Sequence, residues 1–283
     1  RAVLQICHGV AEHIARYDGF ARALNEQGIV VAGHDHLGHG KSLPEGGTPV
    51  YFGEGNTWNT VVDDIYVLHQ RLKQRYPDVP LCIMGHSMGS FLTRTYLIRY
   101  PGTVKAAVIM GTGWQPRAAI TGGLALANAI AAVSGENATS ELVTELAFGS
   151  YNKLFAPNRT KVDWLSADES NVDDYIADPL CGADATVGLF RQMLHGIRFN
   201  QRQSHLRQMD REMPVLFVAG DKDPVGSCGK GVRQTYDAFR AAGMRDCTLK
   251  LYPGLRHEIL NEKAYAADIT KDIEAWLLSR LEK

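Results

Sequence analysis

The sequence predicts an α/β protein: a mostly parallel sheet with helices on both faces and an inserted helical cap. Three observations carry this. Short apolar runs bounded by glycine and proline alternate with segments of helical period along most of the chain. The pentapeptide Gly85-His86-Ser87-Met88-Gly89 falls between one such run and one such segment. From about Gly113 to Arg211 the alternation stops, and helical, loop and polar pieces follow without strand-like runs. The core is therefore expected over 1–112 and 212–283, with the cap over 113–211.

Val3 to Cys7 reads as the first strand. Ile14, Tyr17, Phe20, Ala21 and Leu24 recur at helical spacing, and Gly28 stops that helix. Ile29 to Ala32 is the next strand, and a loop with Pro44, Gly46, Gly47 and Pro49 follows. Trp58, Val61, Val62, Ile65, Leu68 and Leu72 mark a long amphipathic helix. Pro80 to Met84 is a strand that the pentapeptide joins to a helix over Ser90 to Ile98. Ala106 to Met110 is a strand, and after the irregular middle Pro214 to Ala219 is another. A helix through Val232, Tyr236 and Phe239 ends at Gly243. Thr248 to Tyr252 is the last strand, and Ile269, Ile273, Trp276 and Leu277 mark the last helix. The chain opens almost directly on a core strand, so residues upstream of Arg1 are expected.

With 283 residues and an apolar share of 45%, the chain can bury a full core. Its net charge of −1 includes no basic block, which argues against nucleic acid. The five cysteines, Cys7, Cys82, Cys181, Cys228 and Cys247, are widely spaced and odd in number. Reduced, mostly buried thiols and a cytoplasmic location are the expectation. No apolar run is expected to span a bilayer, no signal peptide is recognised, and the sequons at Asn137 and Asn158 read as chance.

Gly85-His86-Ser87-Met88-Gly89 fits G-x-S-x-G in its strand–turn–helix context. The turn strains a residue that has a Cβ, so Gly85 and Gly89 must leave room and Ser87 is lifted clear of the sheet. A serine nucleophile needs a base, an orienting acid and an oxyanion hole. Asp221 and Asp223 lie at a later strand end, and His257 lies in the loop after the last strand. Asp223 is preferred as the acid. Pro224 biases it to an extended conformation, whereas Asp221 is read as bracing the turn. The backbone N–H groups of Met88 and Val10 are the candidate oxyanion donors, with Gly9 allowing close approach.

The run His34-Asp35-His36-Leu37-Gly38-His39 looks like a metal cluster, but its spacing matches no ligand motif, so it is read as a structural turn. Neither metal nor cofactor is expected. Glu12, His13 and Arg16 either contact a polar substrate head or serve first-turn helix electrostatics. His86 either packs beside the turn or reaches the pocket.

Taken together, His8-Gly9-Val10-Ala11-Glu12-His13, Asp35-His36-Leu37-Gly38-His39-Gly40-Lys41-Ser42 and the 85–90 segment resemble the monoacylglycerol lipase and lysophospholipase group of α/β-hydrolases. Asp163 to Ser166, Asp178 to Cys181, Asp223 to Gly226 and Arg256-His257-Glu258 extend the likeness along nearly the whole chain. The resemblance implies the α/β-hydrolase fold, a cap over the site, no cofactor, and hydrolysis of monoacylglycerols, lysophospholipids or related esters. It also implies Ser87, Asp223 and His257 as the triad, with Val10 and Met88 as the oxyanion hole.

Ile120, Leu124, Leu126, Ile130 and Val133 read either as a cap wall that receives an acyl chain and meets a membrane or micelle, or as an ordinary buried helix. On the first reading Leu124 and Ile130 touch substrate. Two rival functions stay open. One is a proline-type aminopeptidase, which needs cap acids such as Glu136, Glu141, Glu145, Asp168, Glu169, Asp173 or Asp174 to hold an amine. The other is a binding protein that keeps the fold without the chemistry. The oligomeric state is not legible in the sequence.

Overall fold

A computed structural model describes residues 1–281. Among them, six strands form one fully parallel sheet in the order β2-β1-β3-β4-β5-β6. The strands are β1 (Ala2–Cys7), β2 (Ile29–Gly33), β3 (Leu81–His86), β4 (Ala107–Met110), β5 (Val215–Gly220) and β6 (Cys247–Tyr252). Every predicted strand is present within one or two residues. β1, β3, β4 and β5 are buried throughout, as a central parallel strand covered on both faces must be.

Helices α1 (Asp18–Glu26), α2 (Thr57–Arg75) and α3 (Met88–Arg99) connect the first four strands. The predicted first helix is split: residues Ile14–Tyr17 form a tight 3₁₀ turn before α1 begins. Between β4 and β5 lie α4 (Arg117–Ser134), α5 (Glu141–Thr144), α6 (Ser150–Lys153), α7 (Glu169–Ala177), α8 (Val187–Asn200) and α9 (Gln203–Leu206). A π-helical stretch, Glu145–Gly149, joins α5 to α6. α10 (Lys230–Ala241) links β5 to β6, and α11 (Ala266–Leu281) closes the chain.

One apolar layer packs α1 and α11 on the sheet through Phe20, Leu24, Ile269, Ile273 and Leu277. The other packs α2, α3 and α10 on the opposite face and runs on into α4 and α8. Asn200 of α8 reaches deep into this second layer. It accepts from the Thr95 hydroxyl at 2.8 Å and donates to the Phe91 carbonyl at 2.8 Å. Thr95 in turn accepts from the Trp58 indole at 3.0 Å. Gly196 makes the approach possible, since a Cβ there would lie 2.1 Å from Trp58. One end of the insertion is thus anchored on the core through α8.

Two expectations need correction. α4 is long and apolar enough, by length and composition, to cross a membrane, which the sequence reading did not anticipate. In the fold its apolar stripe, Ile120, Leu124 and Ala127, is buried, and Gly123 brings it close against Leu194 of α8. The cysteines are unpaired, but only Cys7 and Cys82 are buried, while Cys228 is exposed.

Candidate active site

Ser87 sits between β3 and α3 with φ 54° and ψ −122°, a left-handed conformation that a residue with a Cβ adopts only under constraint. The constraint is steric. A Cβ on Gly85 would lie 2.3 Å from the Gly89 carbonyl and from the Thr93 hydroxyl, and one on Gly89 would lie 2.1 Å from the Cys7 carbonyl. The strand, the helix and β1 therefore crowd together so closely that only glycine fits on either side of the serine. The Ser87 N–H donates to Met110 O at 3.0 Å, which pins the turn to β4.

His257 and Asp223 meet at the same sheet edge. His257 Nδ1 donates to Asp223 Oδ1 at 2.9 Å, with both side chains buried. The same carboxylate oxygen accepts the Val225 N–H at 2.9 Å. Asp221 does other work: its Oδ1 accepts the Gly254 N–H at 2.8 Å and ties the β6–His257 loop to the end of β5. Ser87 and His257 both line one cavity of about 830 Å³, a volume typical of a small-molecule site.

Gly9, Val10 and Ala11 form the opposite lip of that cavity. Gly9 lies against the Ser87 Cβ, with only 3.1 Å to spare for a Cβ of its own. Its N–H is already engaged by Glu12 Oε1 at 2.5 Å, so the Val10 N–H is the next donor on the lip. Met88 is the first residue of α3, and its N–H lies among those a helix start cannot pair internally.

Beneath this lip lies a buried charge network. Arg16 donates to Glu12 at 2.9 Å and in two-pronged fashion to Glu258 at 2.6 and 2.8 Å. Asn171 of α7 donates to Glu258 at 2.9 Å. Burial opposes the charge on Glu12, but His86 and Arg16 outweigh it and hold the carboxyl well below the usual carboxylate range. Burial likewise opposes the charge on His86, yet Glu12 raises its pKa. The Tyr17 hydroxyl donates to Glu12 at 2.8 Å and accepts from His86 Nδ1 at 2.9 Å, while His86 Nε2 donates to the His257 carbonyl at 3.3 Å. These contacts are all made at once when both ring nitrogens of His86 carry protons. The rings of His86 and His257 lie 4.6 Å apart.

Of the residues expected to touch substrate, Gly9, Glu12 and His86 line the cavity. Arg16, Leu124 and Ile130 are not among its lining residues. Arg16 is spent on two carboxylates, and Leu124 and Ile130 pack into the apolar layer with α8. The wall is built instead from residues further along the insertion, including Phe148, Val162, Trp164 and Leu165, with Asn152 and Lys161 on the polar side. Trp164 packs on His257 with ring centroids 5.2 Å apart. The segment is tied to the histidine loop through Glu258 N–H to Leu165 O at 2.8 Å and Arg256 to Ser166 O at 3.0 Å. Glu258 enters the sequence reading only as part of the Arg256-His257-Glu258 motif, with no role assigned. Its role depends on Arg16, 242 residues away, and no local spacing signals such a pair.

The histidine-rich loop is a structural turn. Asp35 accepts the N–H groups of Ile14 and Lys41 at 2.8 Å each, and His36 N–H donates to His8 Nε2 at 2.9 Å. The rings of His8 and His36 lie 4.2 Å apart. Burial, with the neighbouring His39, pushes His8 down to about 3.

A family model described as serine aminopeptidase, S33 matches residues 1–264. A monoacylglycerol lipase of Mycolicibacterium smegmatis is 32% identical over 99% of this chain and 89% of its own length. Human monoglyceride lipase is 27% identical over 99% of this chain and 83% of its own. A thermostable carboxyl esterase from Bacillus coagulans, solved with glycerol, superposes with a TM-score of 0.92 at 26% identity, covering 99% of this chain and 90% of that one. The chain belongs to the serine aminopeptidase (S33) family and, within the α/β-hydrolases, to the monoacylglycerol lipase group.

Proposed function

We propose that the protein is a serine ester hydrolase that cleaves monoacylglycerols or similar lipid-like carboxylic esters through an acyl-enzyme. The observation that carries this is the meeting of three features at one cavity: Ser87 on its positive-φ turn, the His257–Asp223 pair and the Gly9–Val10 lip. The relatives named as monoacylglycerol lipases and the esterase neighbour support the same class of substrate.

In this reading Ser87 Oγ attacks the ester carbonyl as His257 Nε2 takes its proton. Asp223 fixes the imidazole in the tautomer that leaves Nε2 free to do so. The N–H groups of Val10 and Met88 receive the charge that develops on the carbonyl oxygen. His257 then returns the proton to the departing alcohol, and a water activated by the same imidazole releases the fatty acid. The His86 bond to the His257 backbone and the Arg16 network hold the catalytic loops in place. The 113–211 insertion acts as the cap, its wall at Phe148, Val162 and Trp164 accommodating the acyl chain. Exposed Val133, Leu142 and Leu154 give it an apolar edge toward a membrane or micelle.

An aminopeptidase would need a carboxylate free to hold a substrate amine. Glu12 and Glu258 are engaged by Arg16, with His86 also facing Glu12, Glu145 by Lys153, and Glu136 by Arg191. Asp173 and Glu169 face Arg159, Asp174 faces Lys263, and Asp168 caps α7. Only Glu141 and Glu145 of the candidate cap acids line the cavity. The test is a side-by-side comparison of kcat/KM on a monoacylglycerol, a lysophospholipid and an aminoacyl-anilide. Efficient monoacylglycerol turnover with a silent anilide is expected. The opposite ranking would move the protein to the peptidase class.

A further inference from the structure

Outside the cavity, where the insertion crosses the first core loop, three potential metal ligands of different chemistry converge. His13 Nε2 lies 2.8 Å from Asp178 Oδ2, and one ligand atom from each of His13, Asp178 and Cys181 falls within 4.8 Å of the other two. His13 comes from the core loop, whereas Asp178 and Cys181 follow α7. None of the three lines the active-site cavity.

The geometry is prearranged by the backbone. Asp178 Oδ1 accepts the Leu180 N–H at 2.9 Å, which directs Oδ2 to the histidine. Cys181 N–H donates to Asp178 O at 3.0 Å, and this turn brings the two side chains together. The Asp-x-x-Cys spacing resembles the short ligand spacing of zinc sites, and imidazole, carboxylate and thiolate are the donors that zinc accepts. His13 is buried, while Asp178 and Cys181 are partly exposed, so an ion has an entry path.

We propose that His13, Asp178 and Cys181 form a site for Zn²⁺ or a chemically similar divalent ion, its fourth position left to water. Zinc bonds of ~2.0–2.3 Å in a tetrahedron set ligand atoms ~3.3–3.6 Å apart. His13 and Asp178 therefore separate by roughly half an ångström, exchanging their hydrogen bond for two metal bonds, while His13 gives up its Nε2 proton and keeps or takes one at Nδ1. Binding is ligand exchange without redox change: the Cys181 thiol loses its proton to solvent and the sulfur binds the ion. Burial, partly offset by Arg16, pushes this thiol up to about 12, so that proton is given up at a cost. The Arg16 charge is itself met by Glu12 and Glu258.

The site would clip the insertion to the lip of the cavity. Ala11 O already accepts from Tyr175 OH and from Gly182 N–H, both at 2.9 Å, and Val10 is three residues from His13. An ion bridging the two would hold the lip and the insertion together. Any effect of the ion on turnover rests on the proposed function, whereas metal binding does not.

Metal-free protein is titrated with Co²⁺, a spectroscopic stand-in, and then competed with Zn²⁺. The wild type is expected to bind one equivalent, to show a thiolate-to-cobalt charge-transfer band and to melt at a higher temperature with zinc. Cys181→Ser should lose the band, and both it and Asp178→Asn should weaken zinc binding about 10-fold or more. Far-UV circular dichroism of each variant verifies the fold, and Asp178→Asn reads the same site if the serine variant does not fold. No band and no stoichiometric binding by the wild type, or a Cys181→Ser protein that binds as tightly, would overturn the site. Because binding is read without substrate, failure of the hydrolase reading would leave this result standing.

Discussion

At the scale of single residues, two aspartates two positions apart have separate tasks. Asp223 meets the imidazole and Asp221 meets a backbone N–H of the loop that carries it. Asp223→Asn is expected to lower kcat by ~10⁴, as loss of the orienting acid does in a comparable triad. Asp221→Asn keeps a side-chain oxygen that can accept the Gly254 N–H and should cost far less. Steady-state kinetics on one short-chain ester decides, and an equal or reversed ranking would reassign the acid. Ser87, Asp223 and His257 were legible because each stands beside a strand end that the local sequence marks. The Arg16–Glu258 and His13–Asp178 pairs were not legible. Their members lie 242 and 165 residues apart and meet only after the sheet has formed.

At the scale of elements, the strands could be read because buried parallel strands are short, apolar and punctuated. Of the two readings of the 120–133 stripe, the structure matches the buried helix. An apolar helical period identifies a face that must be buried, but not what buries it. α4 turns its stripe to α8, and the cavity wall comes from the less regular 139–165 stretch. Leu124→Ala should therefore destabilise the fold by about 2–5 kcal/mol without altering the preference for acyl-chain length. Phe148→Ala should leave the fold and lower kcat/KM for long chains more than for short ones. Denaturant melts and a chain-length series measure the two effects, and exchanged outcomes would restore α4 as the wall. Gly196→Ala supplies a second check on the insertion's anchor. The clash with Trp58 should cost about 1–3 kcal/mol or more.

At the scale of the whole molecule, stability is linked to pH through the buried histidines. Burial lowers the pKa of His8, His34, His36 and His39. The unfolded chain therefore binds more protons than the folded one below about pH 6.5, and stability falls with pH. His86 is raised and acts in the opposite direction, since its contribution is present below its unfolded value and lost as pH rises. His69 and His195 are lowered as well, so the lowered histidines outnumber the raised one. Glu12, Asp178 and Glu258 are lowered and lose their contribution only below the ordinary carboxylate range. Between pH 6.5 and 4.5 the imidazoles should thus dominate, with up to about 1.4 kcal/mol lost per pH unit for each extra proton bound on unfolding. Urea midpoints at pH 7 and pH 5 check this, and equal or greater stability at pH 5 would contradict it.

The account stands most directly on Ser87 as the nucleophile. The decisive measurement is labelling with a fluorophosphonate, followed by mass mapping of the modified peptide. One adduct per chain is predicted, on Ser87, with ester hydrolysis lost in step with labelling and Ser87→Ala both unlabelled and inactive. An adduct on another residue, or a folded Ser87→Ala protein that still turns over ester at a comparable rate, would contradict it.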